Sequence, residues 1–241
     1  IEVVPIHGSF AELPRILESR GIQADMVLAD LGFSSNQVED PDRGFSFRVD
    51  GPLDMRLDPN SQLTVAAMIN ELSEGELADV IFQYGEVRAS RRIARAIVAR
   101  RRERAFERTG DLADVVRRAA GPPPKGRRRI DRATRTFQAL RIAVNGELEA
   151  LDAFLHAVSQ GARAAVEGRP GWLGLGSRVG VISFHSLEDR PVKRALAAIE
   201  AAGHGRRLTR KPIVAGECEQ RANARSRSAK LRGLEVVSKM G

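Results

Sequence analysis

The segment Asp25–Leu31 reads DMVLADL and runs into Gly32-Phe33-Ser34-Ser35. A short apolar run closed by glycine and serine is the pattern of a buried strand. Upstream, Ile1–Ile6 (IEVVPI) is rich in β-branched residues and stops at His7-Gly8, which predicts another strand. Between them Phe10–Arg20 carries Leu13, Ile16 and Leu17 at helical spacing, and Gly21 ends it. Two buried-type strands joined by one helix make a βαβ unit and hence a parallel sheet. Ligands of such sheets sit beyond the carboxyl ends of the strands, which places attention on Phe10 and on Asp30. Asp30 reads equally as a turn-forming residue beside a glycine.

Downstream, Gln37–Asn60 has no period and is rich in Gly, Pro, Asp and Arg, so it is expected to be a long loop. From Thr64 the pattern is helical. Ser73 opens one helix, Ala89–Arg104 sets Ile93, Ile97 and Val98 against an arginine face, and Thr109-Gly110-Asp111 caps Leu112–Ala120. Pro122–Lys125 breaks that helix, and residues 62–121 show no strand signal. Ala133–Val158 is expected to be one long helix, Val179–Phe184 (VGVISF) a strand, and Asp189 to about Ala201 a helix. Two domains follow: 1–60 and 132–241 as the two parts of an α/β domain, the latter ending in a basic tail, with 61–131 as an all-helical insertion.

Charge is distributed unevenly. The chain of 241 residues has net charge +8, yet its first 60 residues carry 5 basic against 11 acidic side chains. Residues 122–141 carry 7 against 1, and 201–241 carry 10 against 3. Basic blocks beside an acidic region suit a polyanion held against an acidic site, although 34 of the 39 basic residues are Arg, which is also a plain compositional bias. One cysteine, Cys218, excludes an internal disulfide framework and a cysteine-cluster metal site, and suits a reducing cytoplasm. No run is apolar enough for a membrane span, and no phosphate-binding glycine motif of the nucleotide-binding kinds occurs.

His185 follows the strand at 179–184 inside SFHSLEDR. It suits a base, a phosphate contact or a metal ligand, but the other histidines have no zinc spacing. Ser183, Ser186 and Asp189 are placed to cap the next helix. Arg135, Gln138, Arg141 and Asn145 recur at helical spacing, either as a stripe facing a groove or as a solvated face. Asn223–Arg232 (NARSRSAKLR) alternates Arg with Ser, a phosphate-contact pattern or a basic tail.

DLGFSSNQ (30–37), RGFSF (43–47), GPLDMR (51–56), YGE (84–86), RRIARAI (91–97), ATRTFQALRIAVN (133–145), ISFHSLEDRPVK (182–193) and NARSRSAKLR together resemble one family. It is the S-adenosylmethionine-dependent small-subunit ribosomal RNA (cytosine-N4-)-methyltransferase of MraW/RsmH type. The resemblance implies a class I (Rossmann-like) α/β methyltransferase sheet, with 61–131 as its substrate-recognition insertion. It implies methyl transfer to N4 of a cytosine in the decoding centre, S-adenosylmethionine as cofactor, and small-subunit ribosomal RNA or the assembled subunit as partner, in the cytoplasm. By motif match Phe10, Asp30 and Gln37 bind the cofactor. Asp30 is the first candidate for the acceptor that polarises the cytosine amine, and His185 the second. Arg43, Arg135, Arg141, Asn145, Lys193, Arg225, Arg227 and Lys230 are the expected RNA contacts. No metal is implied.

The family opens with a His-x-Pro-Val-Leu segment and a Gly-Gly-His-Ser loop that are absent here. The expectation is therefore an N-terminally incomplete sheet, lacking roughly 50 or more residues. The alternatives are a non-catalytic RNA-binding or ribosome-assembly relative and a DNA amino-methyltransferase. The latter calls for a Pro-Pro-aromatic motif where Leu31-Gly32-Phe33 stands.

Overall fold

The computed structural model describes residues 2–122 and 131–238. Of the helix-breaking stretch at Pro122–Lys125 all but Pro122, and much of the basic block that follows, lie outside the described residues. The chain divides into two compact units, one made of residues up to Gly32 and from Leu148 onward, the other of Phe33–Glu147.

In chain order the first unit opens with a 3-10 turn at Phe10–Glu12, helix α1 (Leu13–Ser19) and strand β1 (Ala24–Asp30). The second unit holds α2 (Ser35–Glu39), a 3-10 turn at Pro41–Arg43, α3 (Val65–Glu71), α4 (Glu74–Gly85), α5 (Ser90–Arg101), α6 (Thr109–Ala120) and α7 (Thr134–Asn145). Then come α8 (Glu147–Val166), β2 (Leu173–Ser183), α9 (Ser186–Ala201), β3 (Arg206–Arg207), β4 (Ile213–Val214), α10 (Glu217–Ala222), a 3-10 turn at Ala224–Ser228 and β5 (Lys230–Glu235).

The sheet of the first unit runs β1-β2-β5-β3, with β4 also on β5. β1 and β2 are parallel, and β5 is antiparallel to β2. A parallel pair between β1 and β2 fits an α/β methyltransferase sheet. The pair is not the one expected from the start of the sequence. Residues 2–7 form no strand, and Val3, Val4 and Ile6 are exposed. β-branched composition yields a strand only where a neighbour takes the ladder hydrogen bonds and buries one face. Among the described residues no strand does so for this segment.

Alternation sets the sheet's faces. Val27 and Ala29 of β1, Val179 and Val181 of β2, and Leu234 of β5 are buried in one core with Leu151, Phe154 and Val158 of α8 and Val192, Leu196 and Ile199 of α9. Met26, Leu28 and Asp30 point the other way and are exposed. β2 starts six residues earlier than its sequence suggests. The register slips from Ala24↔Leu173 to Met26↔Arg178, and Ser177 closes this bulge by donating to the Ala24 carbonyl at 2.7 Å and accepting from Gly174 N–H at 2.8 Å.

β5 is the largest surprise. Its inward positions are Arg232 and Leu234, with buried Val236 just past its end, and a buried arginine in that row hides the alternation. The expected tail is in fact an inner strand.

The second unit packs α3 to α7 around Ile69, Leu77, Ile81, Ile93, Ile97, Leu112, Val116, Phe137 and Leu140. Ser73 caps α4 as its sequence suggests: its Oγ accepts from Glu76 N–H, and Glu76 reaches back to Ser73 N–H at 2.9 Å. Thr109 does not cap α6. Its Oγ1 accepts from Gly51 N–H, and Asp50 accepts the orphan Gly110 N–H at 2.8 Å instead. The expected long helix 133–158 breaks at Gly146, whose left-handed φ of 57° favours glycine, and α8 restarts at once.

Candidate active site

Asp30 ends β1, paired in register with Ile182, and Leu31 N–H continues the ladder to the Ile182 carbonyl at 3.0 Å. Gly32 then turns the chain away at φ 95°, so the Asp30 side chain stands exposed at the strand's carboxyl end. Among the described residues its carboxylate takes part in no hydrogen bond or ion pair.

β2 ends beside it at Ser183, followed by Phe184 and His185. This corner is set by a residue that was not singled out from the sequence. Glu188, buried in the first turn of α9, accepts Phe184 N–H at 2.8 Å and His185 N–H at 3.3 Å through Oε2. Its Oε1 lies 3.0 Å from His185 Nε2, and the imidazole is 15% exposed. Glu188 three residues after His185 follows capping-box spacing, the signal that could have found it. Ser183 and Asp189 do not cap. Ser183 Oγ donates to the Lys230 carbonyl at 3.5 Å. Asp189 accepts from Arg232 Nε at 2.7 Å and Nη2 at 3.2 Å, and from Lys230 Nζ at 3.3 Å. Burial alone pushes the Asp189 carboxyl up, but its bonds to Arg232 and Lys230 outweigh that and hold it below the usual carboxylate range.

The other expected residues of this unit fall into two kinds. Phe10 is half-buried with its ring edge-on to Phe154 at 5.6 Å, so one side belongs to the core. Lys193 is exposed on α9, and Arg225 and Arg227 are exposed on the 3-10 turn before β5. Asn223 caps that turn by accepting Arg225 N–H, and buried Ser226 donates to the Asn223 carbonyl at 2.8 Å. The short turn thus presents two guanidinium groups on a tied backbone.

In the second unit the expected residues are mostly engaged. Gln37 closes a capping box on α2, accepting Ser34 N–H at 2.8 Å. Arg43 donates to the Arg56 and Leu57 carbonyls at 2.8 and 3.1 Å. Asn145 accepts Leu57 N–H at 2.7 Å and donates to the Met55 and Arg141 carbonyls at 2.8 and 2.9 Å. Between those bonds Met55 is buried at φ 60°, a costly conformation for a side chain of its size. Arg141 forms a bidentate pair with Glu147, both bonds 2.7 Å, and both side chains are nearly buried. Its guanidinium also lies 4.6 Å from the Phe33 ring. Arg135 is exposed at the start of α7 and has no ion pair among the described residues.

The carboxyl ends of a parallel strand pair are where ligands of open α/β sheets bind, and Asp30 stands there. The model of the MraW methylase family matches residues 2–237, and the chain belongs to that family. It is 52% identical over 213 residues to ribosomal RNA small subunit methyltransferase H of Synechococcus elongatus, a match covering 88% of this chain and 65% of the relative. The proteins of the same name from Syntrophobacter fumaroxidans and Sorangium cellulosum are each 49% identical, over 95% and 98% of this chain and 73% and 70% of theirs. The chain therefore spans about two thirds of the length of the Synechococcus relative.

Proposed function

We propose that this chain takes part in methyl transfer from S-adenosylmethionine to N4 of a cytosine in the decoding centre of small-subunit ribosomal RNA, in the cytoplasm. Family membership and the relatives' names support the reaction class. The observation that carries the local chemistry is Asp30, exposed and unpaired at the carboxyl end of β1.

S-adenosylmethionine supplies an electrophilic methyl group on a sulfonium. The residues fit that group in kind: Phe10 offers an apolar ring, Asp30 an open acceptor for hydroxyl or amine protons, and Gln37 an amide whose nitrogen is not used in the capping box. The cytosine amine is a weak nucleophile because its lone pair is delocalised into the ring. A carboxylate that accepts a hydrogen bond from that amine localises the pair and then receives the proton the amine sheds. Asp30 has the free lone pairs for both. His185 is the second candidate, standing just past the end of β2 with its Nε2 3.0 Å from Glu188 Oε1. A base must leave its stack to reach such a site. Arg135, Lys193, Arg225 and Arg227 are exposed and suited to phosphates. Arg43, Arg141, Asn145 and Lys230 are tied to their own chain and act by shaping the surface.

The test uses radiolabelled S-adenosylmethionine, this protein, and small ribosomal subunits lacking the modification. Label recovered as N4-methylcytidine after nuclease digestion is the expected result. Tight RNA binding with no label incorporated would favour the non-catalytic RNA-binding relative.

A further inference from the structure

We infer that Phe184 is the platform on which the target cytosine stacks, an inference that rests on the methyl-transfer reading above.

Inward positions of β2 are odd-numbered and end at Ser183, so Phe184 continues the outward row, the row of Asp30 on the paired strand. Extending the register Asp30↔Ile182 by two residues brings Gly32 level with Phe184. A Cβ at Gly32 would lie 3.9 Å from Phe184 Cδ2, so the ring sits beside a residue with no side chain. Glu188 fixes the ring's backbone through the 2.8 Å bond from Phe184 N–H. The ring is half-buried and, among the described residues, makes no ring–ring or cation contact.

No other aromatic combines these properties. Phe33 is stacked on Phe45 at 5.4 Å and carries the Arg141 guanidinium at 4.6 Å, which occupies its ring on both accounts. Phe10 is held edge-on in the core. Phe82 is exposed but stands on α4, with no strand end beside it. An aromatic face beside a free carboxylate meets the two needs of an extruded cytosine: a surface to replace the lost stack, and an acceptor for its exocyclic amine.

The experiment compares the wild type with Phe184→Tyr and Phe184→Leu. Leucine keeps an apolar side chain beside Gly32 but has no π-face, whereas tyrosine keeps the face. The probe is pyrrolocytidine, whose fluorescence is quenched on stacking. The wild type and Phe184→Tyr are expected to quench it, and Phe184→Leu to bind it about 5- to 100-fold more weakly. Equal quenching by all three proteins would overturn the inference, as would equal losses in Tyr and Leu. Methyl transfer measured in parallel separates the two readings. Quenching that depends on the ring while the wild type transfers no methyl group leaves the platform standing and removes the reaction. Transfer at the wild-type rate by Phe184→Leu removes the platform and leaves the reaction.

Discussion

The strand end at Asp30 and the loop at 41–61 use the same residue types to opposite ends. Each sets a carboxylate within two residues of a glycine. In the loop Asp50 takes the Arg108 guanidinium and the Gly110 N–H, and Asp54 takes Arg56 at 2.7 and 2.8 Å. The bond from Arg108 is the main cause of a carboxyl held below the usual range at Asp50. At Asp54 burial pushes the other way and the bonds to Arg56 outweigh it. Asp30 takes nothing from the described residues. The loop's carboxylates are consumed in holding a shape that includes the buried, positive-φ Met55. A solvated carboxylate costs nothing to leave unpaired, and on the proposed reading Asp30 is the one placed at a strand end to take a substrate proton.

Replacing Asp30 by Asn should break the comparison most visibly. The shape is kept and the basic lone pairs are lost. Methyl transfer should fall on the order of 100-fold or more. The melting temperature should stay within about 2 °C, because no intramolecular bond is lost. Wild-type transfer with bound cofactor would remove Asp30 from the chemistry.

The paired carboxylate Asp189 should behave in the opposite way. Asp189→Asn leaves Arg232 buried without a counter-charge, a loss of about 3 kcal/mol, or about 6–12 °C in melting temperature. Its folded carboxyl is held low, so its contribution is complete above about pH 4 and is lost as pH falls through the depressed folded value. Thermal unfolding of the wild type between pH 5 and 2 should therefore lose stability that the variant has already lost. Parallel curves for the two proteins would contradict the pairing.

These contrasts also explain what the sequence could convey. β1, α1, α4, α5 and α9 were legible because their apolar residues keep one period and their caps are local. The β1–β2 pairing was not, because its partners are some 150 residues apart and the nearer apolar run, 1–6, looked the better strand. β5 was hidden by Arg232, a charge in a core position that Asp189, 43 residues away, makes tolerable. Asp30 and His185 were legible as strand-end residues. The engagement of Arg141 and Asn145 was not, since helical spacing shows which residues share a face and not whether that face meets a groove, a loop or Glu147. Glu188 sat in plain view at capping-box spacing, but a histidine at the cap position does not advertise the box.

Asn145→Ala sharpens the loop side of the comparison. It removes three hydrogen bonds and leaves the Met55 carbonyl and Leu57 N–H without the partner that fixes them. A loss of about 2 kcal/mol is expected, with faster proteolysis between 51 and 61 as the local readout. If Asn145 instead served only RNA, the variant would melt as the wild type does and lose affinity for the subunit alone.

The smallest effect expected is at Ser73, where the box closing α4 lies on the surface and far in sequence from either carboxylate group. Ser73→Ala removes the acceptor for Glu76 N–H and the hydroxyl that donates to Glu76 Oε2 at 2.7 Å, but leaves the Ser73 N–H bond to Glu76 available to the alanine backbone. Half the box therefore survives, and a fall of about 2–4 °C in melting temperature is expected, with methyl transfer unchanged at temperatures where both proteins are folded. A loss of transfer larger than the loss of folded protein would show that the α4 terminus shapes the substrate surface, and the division between carboxylates that build and carboxylates that react would then be too simple.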